Sequence, residues 1–122
     1  MMDREVWIEQ IAIALEGLGD RQFQQRVWLR GEGPEVSSFD EAVCALDDKD
    51  LAGLIDHCGE WGYPGDLADR LRRYDQALEQ FIHDIGPYPR TELILSDPRW
   101  AGLCEEAKGL ADELRAAHSR AE

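Results

Sequence analysis

The sequence predicts an all-α fold, a single-domain bundle of five to six helices that spans residues 1–122. Three observations lead to this prediction. Apolar residues recur at intervals of three and four along most of the chain, which is the period of a helix with one buried face. Capping residues and Gly or Pro breaks separate these stretches. The hydrophobic content of 43% is enough for a core, and we find neither a convincing strand pattern nor a linker between domains.

The first helix is predicted over residues 3–18, with Asp3 as its cap and a wide apolar face. The pair Gly19-Asp20 is a typical break, after which a shorter helix is expected over residues 21–29. The segment 31–36, with two glycines and a proline, then requires a loop.

A third helix begins near Ser38 and Glu41, which have the spacing of a capping box. Its apolar period slips between Leu46 and Leu51, where four charged residues intervene. We therefore expect a break there and a new helix over about residues 49–58, followed by a turn-rich loop (GEWGYPG).

The helix around which we expect the rest to be organised covers residues 66–85. Asp66 is its predicted N-cap, and Gly86-Pro87 ends it. Its apolar residues form one stripe at steps of three and four, consisting of Leu67, Leu71, Tyr74, Leu78, Phe81 and Ile85.

The C-terminal part offers a short apolar segment at residues 93–95, which is enough for one helical turn. Asp97 followed by Pro98 is a typical helix start, since aspartate caps well and proline suits the first helical position. The last helix is therefore predicted to run from Pro98 to near His118.

Charge is distributed unevenly along the chain, whose formal net charge is −13. Residues 31–69 contain eleven acids and one base, Lys49, so −10 of the total lies in this segment. In the helix that follows, by contrast, Asp66 precedes Arg70 and Asp69 precedes Arg73 by four positions, the spacing of stabilising ion pairs. The acidity of residues 31–69 is therefore the feature that most needs an explanation.

We interpret part of this segment as a face that binds a basic protein. Such a face attracts a cationic partner and repels nucleic acid phosphates and anionic lipids. Aromatic residues in the adjacent loop provide candidate anchors. The predicted partner-binding residues are Asp47, Asp48, Asp56, Glu60, Trp61 and Tyr63.

Two structural explanations stand beside this interpretation. Acids near a helix start are stabilised by the helix dipole, and high negative charge also keeps a protein in solution. For the two loop aromatics, Trp61 and Tyr63, the structural alternative is that they fold back and cap the core between two helices.

The sequence predicts no catalytic, cofactor or metal site. The stretch after Asp48 resembles an EF-hand opening, but Ala52 and Gly59 occupy ligand positions. His57 beside Cys58 and His83 beside Asp84 lack a second ligand pair at zinc spacing, and the thiol of Cys58 falls on a predicted core stripe.

A reducing, cytoplasmic location is expected. Three widely spaced cysteines do not form a disulfide framework. The acidic start of the chain is unlike a signal peptide, and no apolar run reaches membrane-spanning length.

A resemblance to a known class of proteins bears on the predicted binding of a basic partner. The stretch VWLRGEGPEVSSFDEAV, leading into LDDKDLAGLID within residues 26–56, resembles small acidic bacterial immunity-type proteins. These proteins neutralise a toxin by binding it, so the resemblance implies a toxin as the partner. Together with the basic partner expected from the charge, this favours a toxin of the nuclease type. It implies no individual functional residue.

Three hypotheses follow. The first is a non-enzymatic module that binds a basic protein, with its oligomeric state open. The second is a structural or oligomeric adaptor whose acidity serves solubility. The third is a small metal-dependent enzyme that uses carboxylates.

Overall fold

The structure, a computed structural model, describes residues 3–121. Within this range the chain is 78% helical and contains no strand, which confirms the predicted all-α fold. The helices in chain order are α1 (Arg4–Gly19), α2 (Arg21–Phe23, continued by a π-helical segment, Gln24–Leu29), α3 (Phe39–Asp48), α4 (Leu51–His57), α5 (Gly65–Ile85), α6 (Thr91–Ser96) and α7 (Pro98–Ala121).

The C-terminal helix α7 lies at the centre of the bundle. It packs along α1 and α5 and also contacts α6. Its buried side chains are therefore distributed over more than one face, and three of them are alanines. The buried residues of α7 are Trp100, Cys104, Ala107, Leu110, Ala111, Leu114 and Ala117. The expectation that the 66–85 helix organises the fold is thus corrected, because small residues on α7 allow two neighbours to approach without producing a conspicuous apolar stripe.

Helix α5 forms one side of this core. Five residues of its predicted stripe are buried and Ile85 is half-buried. The helix ends at Gly86, whose φ of 82° favours glycine. Its start differs from the prediction, since Pro64 occupies the N-cap position and Asp66 lies in the first turn. Asp66 therefore acts through the helix dipole and makes no cap hydrogen bond.

Aromatic contacts fix α3 against α5 and α7. The ring of Phe81 stacks on Trp100 with centroids 5.5 Å apart, and Phe39 meets Trp100 edge-on at 5.3 Å. Such pairs stabilise packing beyond the area that they bury. They hold the N-terminal end of α3 close to α5, and the two helices line a common groove farther along.

The predicted break between α3 and α4 is present. Asp50 adopts a left-handed conformation with φ of 61°, which aspartate tolerates better than most residues. Its carboxylate accepts a hydrogen bond from the Gly53 backbone N–H at 3.1 Å and so caps α4, which begins at Leu51. The predicted caps Asp3 and Ser38 likewise accept hydrogen bonds from the first turns of their helices.

Candidate functional site

The acids of residues 31–69 do not form one continuous free surface. Three of them are paired with arginines, two of which lie just before the segment in the sequence. The pairs are Glu32 with Arg30 at 2.8 Å, Glu35 with Arg26 at 2.9 Å, and Asp69 with Arg72 at 3.1 Å. Hydrogen bonds, first from Arg26 and then from the backbone N–H of Glu35, lower the pKa of Glu35 to about 2. Counting charge by sequence segment therefore overstated the acidity that is available to a partner.

The ion pairs expected within α5 are also different. Asp69 pairs with Arg72 at a spacing of three. Arg70 reaches across to α7, where it contacts the carboxylates of Glu106 and Glu113. The predicted pairs Asp66–Arg70 and Asp69–Arg73 are thus wrong, because two carboxylates on the neighbouring helix offer Arg70 more contacts than one on its own helix.

A groove lies where α3, the start of α4 and α5 meet. Its volume is about 510 Å³, within the range of pockets that bind ligands. Aliphatic side chains form its wall and carboxylates lie along its edge. The lining residues are Val43, Cys44, Leu46, Asp47, Asp50, Leu51, Ala52, Asp75, Leu78, Glu79, Ile82 and His83.

Four carboxylates line this groove, and three of them are not otherwise engaged. Asp50 is used as the cap of α4. Asp47, Asp75 and Glu79 make no ion pair with any Lys or Arg within residues 3–121. None of the groove's lining residues is itself a Lys or Arg. We call Asp47, Asp75 and Glu79 the groove acids.

The groove acids repel one another. Asp75 is half-buried, and burial is the main cause that raises its pKa above the ordinary value. The nearby carboxylates of Glu79 and Asp47 raise that pKa further. A cation in the groove relieves this repulsion, so the arrangement favours binding of positive charge.

The groove acids include only one of the residues that the sequence singled out. Asp47 lines the groove, whereas Asp48 is exposed but does not line it. Asp56 is exposed on α4, also outside the groove lining. Glu60 follows that helix, and its carboxylate lies 3.9 Å from the His57 ring nitrogen Nε2. Of the four predicted acids, only Asp47 therefore lines the groove.

The predicted aromatic anchors pack inward to different degrees. Trp61 is half-buried and meets Trp7 edge-on with ring centroids 5.7 Å apart, while the Arg4 guanidinium lies 5.5 Å from the Trp61 ring. Tyr63 is only 5% exposed, and its hydroxyl hydrogen-bonds His118 Nδ1 at 2.9 Å. Tyr63 thus takes the core-capping position and does not serve as an exposed anchor.

Asp75 and Glu79 were missed by sequence reasoning, although a signal was present. Asp75, Glu79 and His83 follow one another at steps of four and thus form a stripe on one side of α5. The like-charged pair at the start of this stripe has no Lys or Arg four residues away on either side. Averaging charge over the C-terminal half of the chain concealed this pair.

Cys58 and Asp84, which lie beside His57 and His83 in the sequence, make contacts within the protein itself. Cys58 is buried, its Sγ donates a hydrogen bond to the Leu54 carbonyl at 3.4 Å, and burial raises its thiol pKa. A raised pKa disfavours the thiolate that nucleophilic or zinc chemistry requires. Asp84 beside His83 pairs with Arg99 at 2.9 Å. Within residues 3–121 no group of three or more His, Cys, Asp or Glu side chains is arranged to hold a metal ion.

Comparison with protein-family models, with curated proteins and with solved structures finds no match to this chain. In the described part of the chain, no helix combines the length and apolar character needed to cross a membrane.

Proposed function

We propose that this protein is a non-enzymatic binding module that holds a basic segment of another protein in the groove between α3 and α5. The observation that carries the proposal is the combination of an aliphatic wall with three groove acids that lack a Lys or Arg partner within residues 3–121. A basic side chain satisfies both halves of this surface, because its methylenes cover apolar atoms while its charged end meets carboxylates.

The overall charge of the chain supports the same proposal. A net charge of −13 attracts cationic proteins over a distance and raises their association rate at low ionic strength. Charge at a distance does not by itself hold a partner, since exposed pairs contribute little in salt. The half-buried Asp75 beside Leu78 offers a contact that water screens less.

In its more specific form, the proposal is that the partner is a basic toxin domain, as the resemblance to immunity-type proteins implies. A nuclease must bind phosphates through cationic side chains. A protein that engages those side chains with its own carboxylates competes with the nucleic acid and thereby blocks the toxin.

The test is selection of random peptides displayed on phage against the immobilised protein. We expect the enriched peptides to combine basic and apolar residues. Their binding should be lost in the groove variant, Asp47→Asn, Asp75→Asn and Glu79→Gln. It should persist in the matched variant, Asp48→Asn, Asp56→Asn and Glu60→Gln.

Both variants remove three negative charges, so they separate the groove from acidity in general. Enriched peptides without positive charge, or peptides that bind the groove variant as well as the unmodified protein, would contradict the proposal. Circular dichroism of both variants confirms that each remains helical.

A further inference from the structure

Two pairs of carboxylates elsewhere in this protein are each bridged by one arginine from a neighbouring helix. Glu9 and Glu16 lie two turns apart on α1, and Arg115 of α7 contacts them at 2.7 and 2.8 Å. Glu106 and Glu113 have the same spacing on α7, and Arg70 of α5 contacts both. One arginine can do this because its guanidinium carries five N–H donors in a planar fork.

Arg115 stabilises the ionised form of the two acids that it bridges. Hydrogen bonds from Arg115 are the main cause that lowers the pKa of Glu9 and of Glu16. The opposite holds in the groove, where burial and the like charges of Glu79 and Asp47 raise the pKa of Asp75. The groove acids thus differ from the two bridged pairs of carboxylates, each of which contacts an arginine of a neighbouring helix.

Like the bridged sites, the groove places carboxylates close together, but their arrangement on the helices is different. Asp75 and Glu79 lie one turn apart on α5, and Asp47 lines the same groove from α3. Among the described residues, no side chain of Lys or Arg enters from a neighbouring helix. Asp47 and Glu79 are exposed beside the aliphatic wall, so a side chain from outside the protein can reach the groove acids.

We infer that the partner inserts an arginine side chain into this groove, with its guanidinium bridging Asp75 and a second groove acid. This inference rests on the proposed function and specifies the ligand of the same site. The arginine stem lies against the aliphatic side chains of Leu78 and Ile82, which line the groove on the same helix as Asp75.

Arginine fits this place better than lysine for two physical reasons. Its fork contacts two carboxylates at once, whereas the lysine ammonium acts as a point charge. The guanidinium is also more weakly hydrated, so less hydration is lost when it moves beside the half-buried Asp75. Relief of the repulsion among the groove acids adds to binding in either case and does not distinguish the two side chains.

The test uses one short alanine–leucine peptide in three versions, in which the same central positions carry arginine, lysine or uncharged citrulline. Each version is titrated into the isotopically labelled protein and followed by NMR. We expect the arginine version to shift the backbone signals of groove residues and to bind about five- to tenfold more tightly than the lysine version. The citrulline version should be weaker than both.

The variant Asp75→Asn should remove the preference for arginine, and Asp112→Asn, an exposed acid on α7, should keep it. Equal affinity for arginine and lysine, or an arginine preference that survives Asp75→Asn, overturns the inference and leaves the proposed function standing. If neither cationic version shifts the groove signals, the proposed function itself fails.

Discussion

Gln24 is the buried polar residue that ties the second helical segment to the rest of the core. Its side chain is 0% exposed. The amide Nε2 donates to the carbonyls of Gly17 and Leu18 at 3.2 and 2.9 Å, and Oε1 accepts from Trp100 Nε1 at 2.9 Å. All three partners lie outside the helix that carries Gln24, so one side chain links it to α1 and α7.

Replacing Gln24 with alanine leaves these partners without their hydrogen bonds in a buried place. We expect Gln24→Ala to lower the free energy of unfolding by about 1–3 kcal/mol, measured by urea denaturation. The matched change Gln25→Ala, at an exposed neighbour, should stay within about 0.5 kcal/mol. Equal losses at the two positions would show that the buried network contributes nothing specific.

Asp75 is the residue at which the proposed function and stability oppose each other. Its folded-state pKa is raised, so the folded protein holds this proton more tightly than the unfolded chain does. Stability is therefore highest when the carboxyl is protonated and falls as pH rises through the raised pKa.

An uncharged amide at position 75 removes the cost of holding an ionised carboxylate half-buried beside like charges. We expect Asp75→Asn to raise Tm at pH 7 by about 2–4 °C. The gain should shrink as pH falls below about 4, where aspartate becomes protonated in both states. Thermal scans at several pH values measure the difference. The control Asp112→Asn should give no such gain, and a lower Tm for Asp75→Asn at pH 7 would contradict the repulsion described for the groove.

At the scale of helices, the contact between α1 and α7 depends on a glycine. A Cβ added at Gly19 would lie 2.8 Å from the backbone carbonyl oxygen of Cys104 and would also collide with the Lys108 side chain. A side chain can move aside, but the carbonyl of a central helix cannot do so without shifting that helix. Gly17 on the same helix has open space around its Cβ position.

These two glycines therefore respond in opposite directions to the same substitution. We expect Gly19→Ala to lower the free energy of unfolding by about 1–3 kcal/mol, as overpacked sites do. Gly17→Ala should raise it by up to about 1 kcal/mol, because alanine favours the helix. Chemical denaturation of both variants gives the comparison, and a stabilised Gly19→Ala would rule out the close approach of α1 and α7.

Most helices could be predicted from the sequence because their signals are local. The stripe from Leu67 to Phe81 and the caps at Asp3 and Ser38 each depend on residues within a few positions of one another. The central place of α7 could not be predicted in this way. Its alanines bury little area each, and their importance becomes visible only when the helices that approach them are known.

The groove could be predicted only in part for the same reason. Asp47 belongs to a conspicuous acidic run, but Asp75 and Glu79 lie within residues 70–122, whose ten acids and eight bases nearly balance. The groove exists because aromatic contacts such as that between Phe39 and Phe81 hold α3 beside α5. That pairing joins residues far apart in the chain, and the spacing of residues within one helix cannot predict such a contact. Gln24 was missed as well, since glutamine is usually found at the surface.

At the scale of the whole molecule, two kinds of negative charge have different consequences for binding. The net charge of −13 sets the long-range attraction and hence the association rate. The three groove acids form the contacts that must break when a partner leaves, and such partly buried contacts act mainly on the dissociation rate. The two contributions can be separated with variants of equal net charge.

The most direct measurement is the dissociation rate of a basic peptide enriched on this protein, determined by surface plasmon resonance. The groove variant and the matched variant defined above should slow association to a similar extent, about two- to threefold at low salt. Only the groove variant should accelerate dissociation, by about tenfold or more. Equal dissociation rates for the two variants would show that general acidity, and not the groove between α3 and α5, holds the partner.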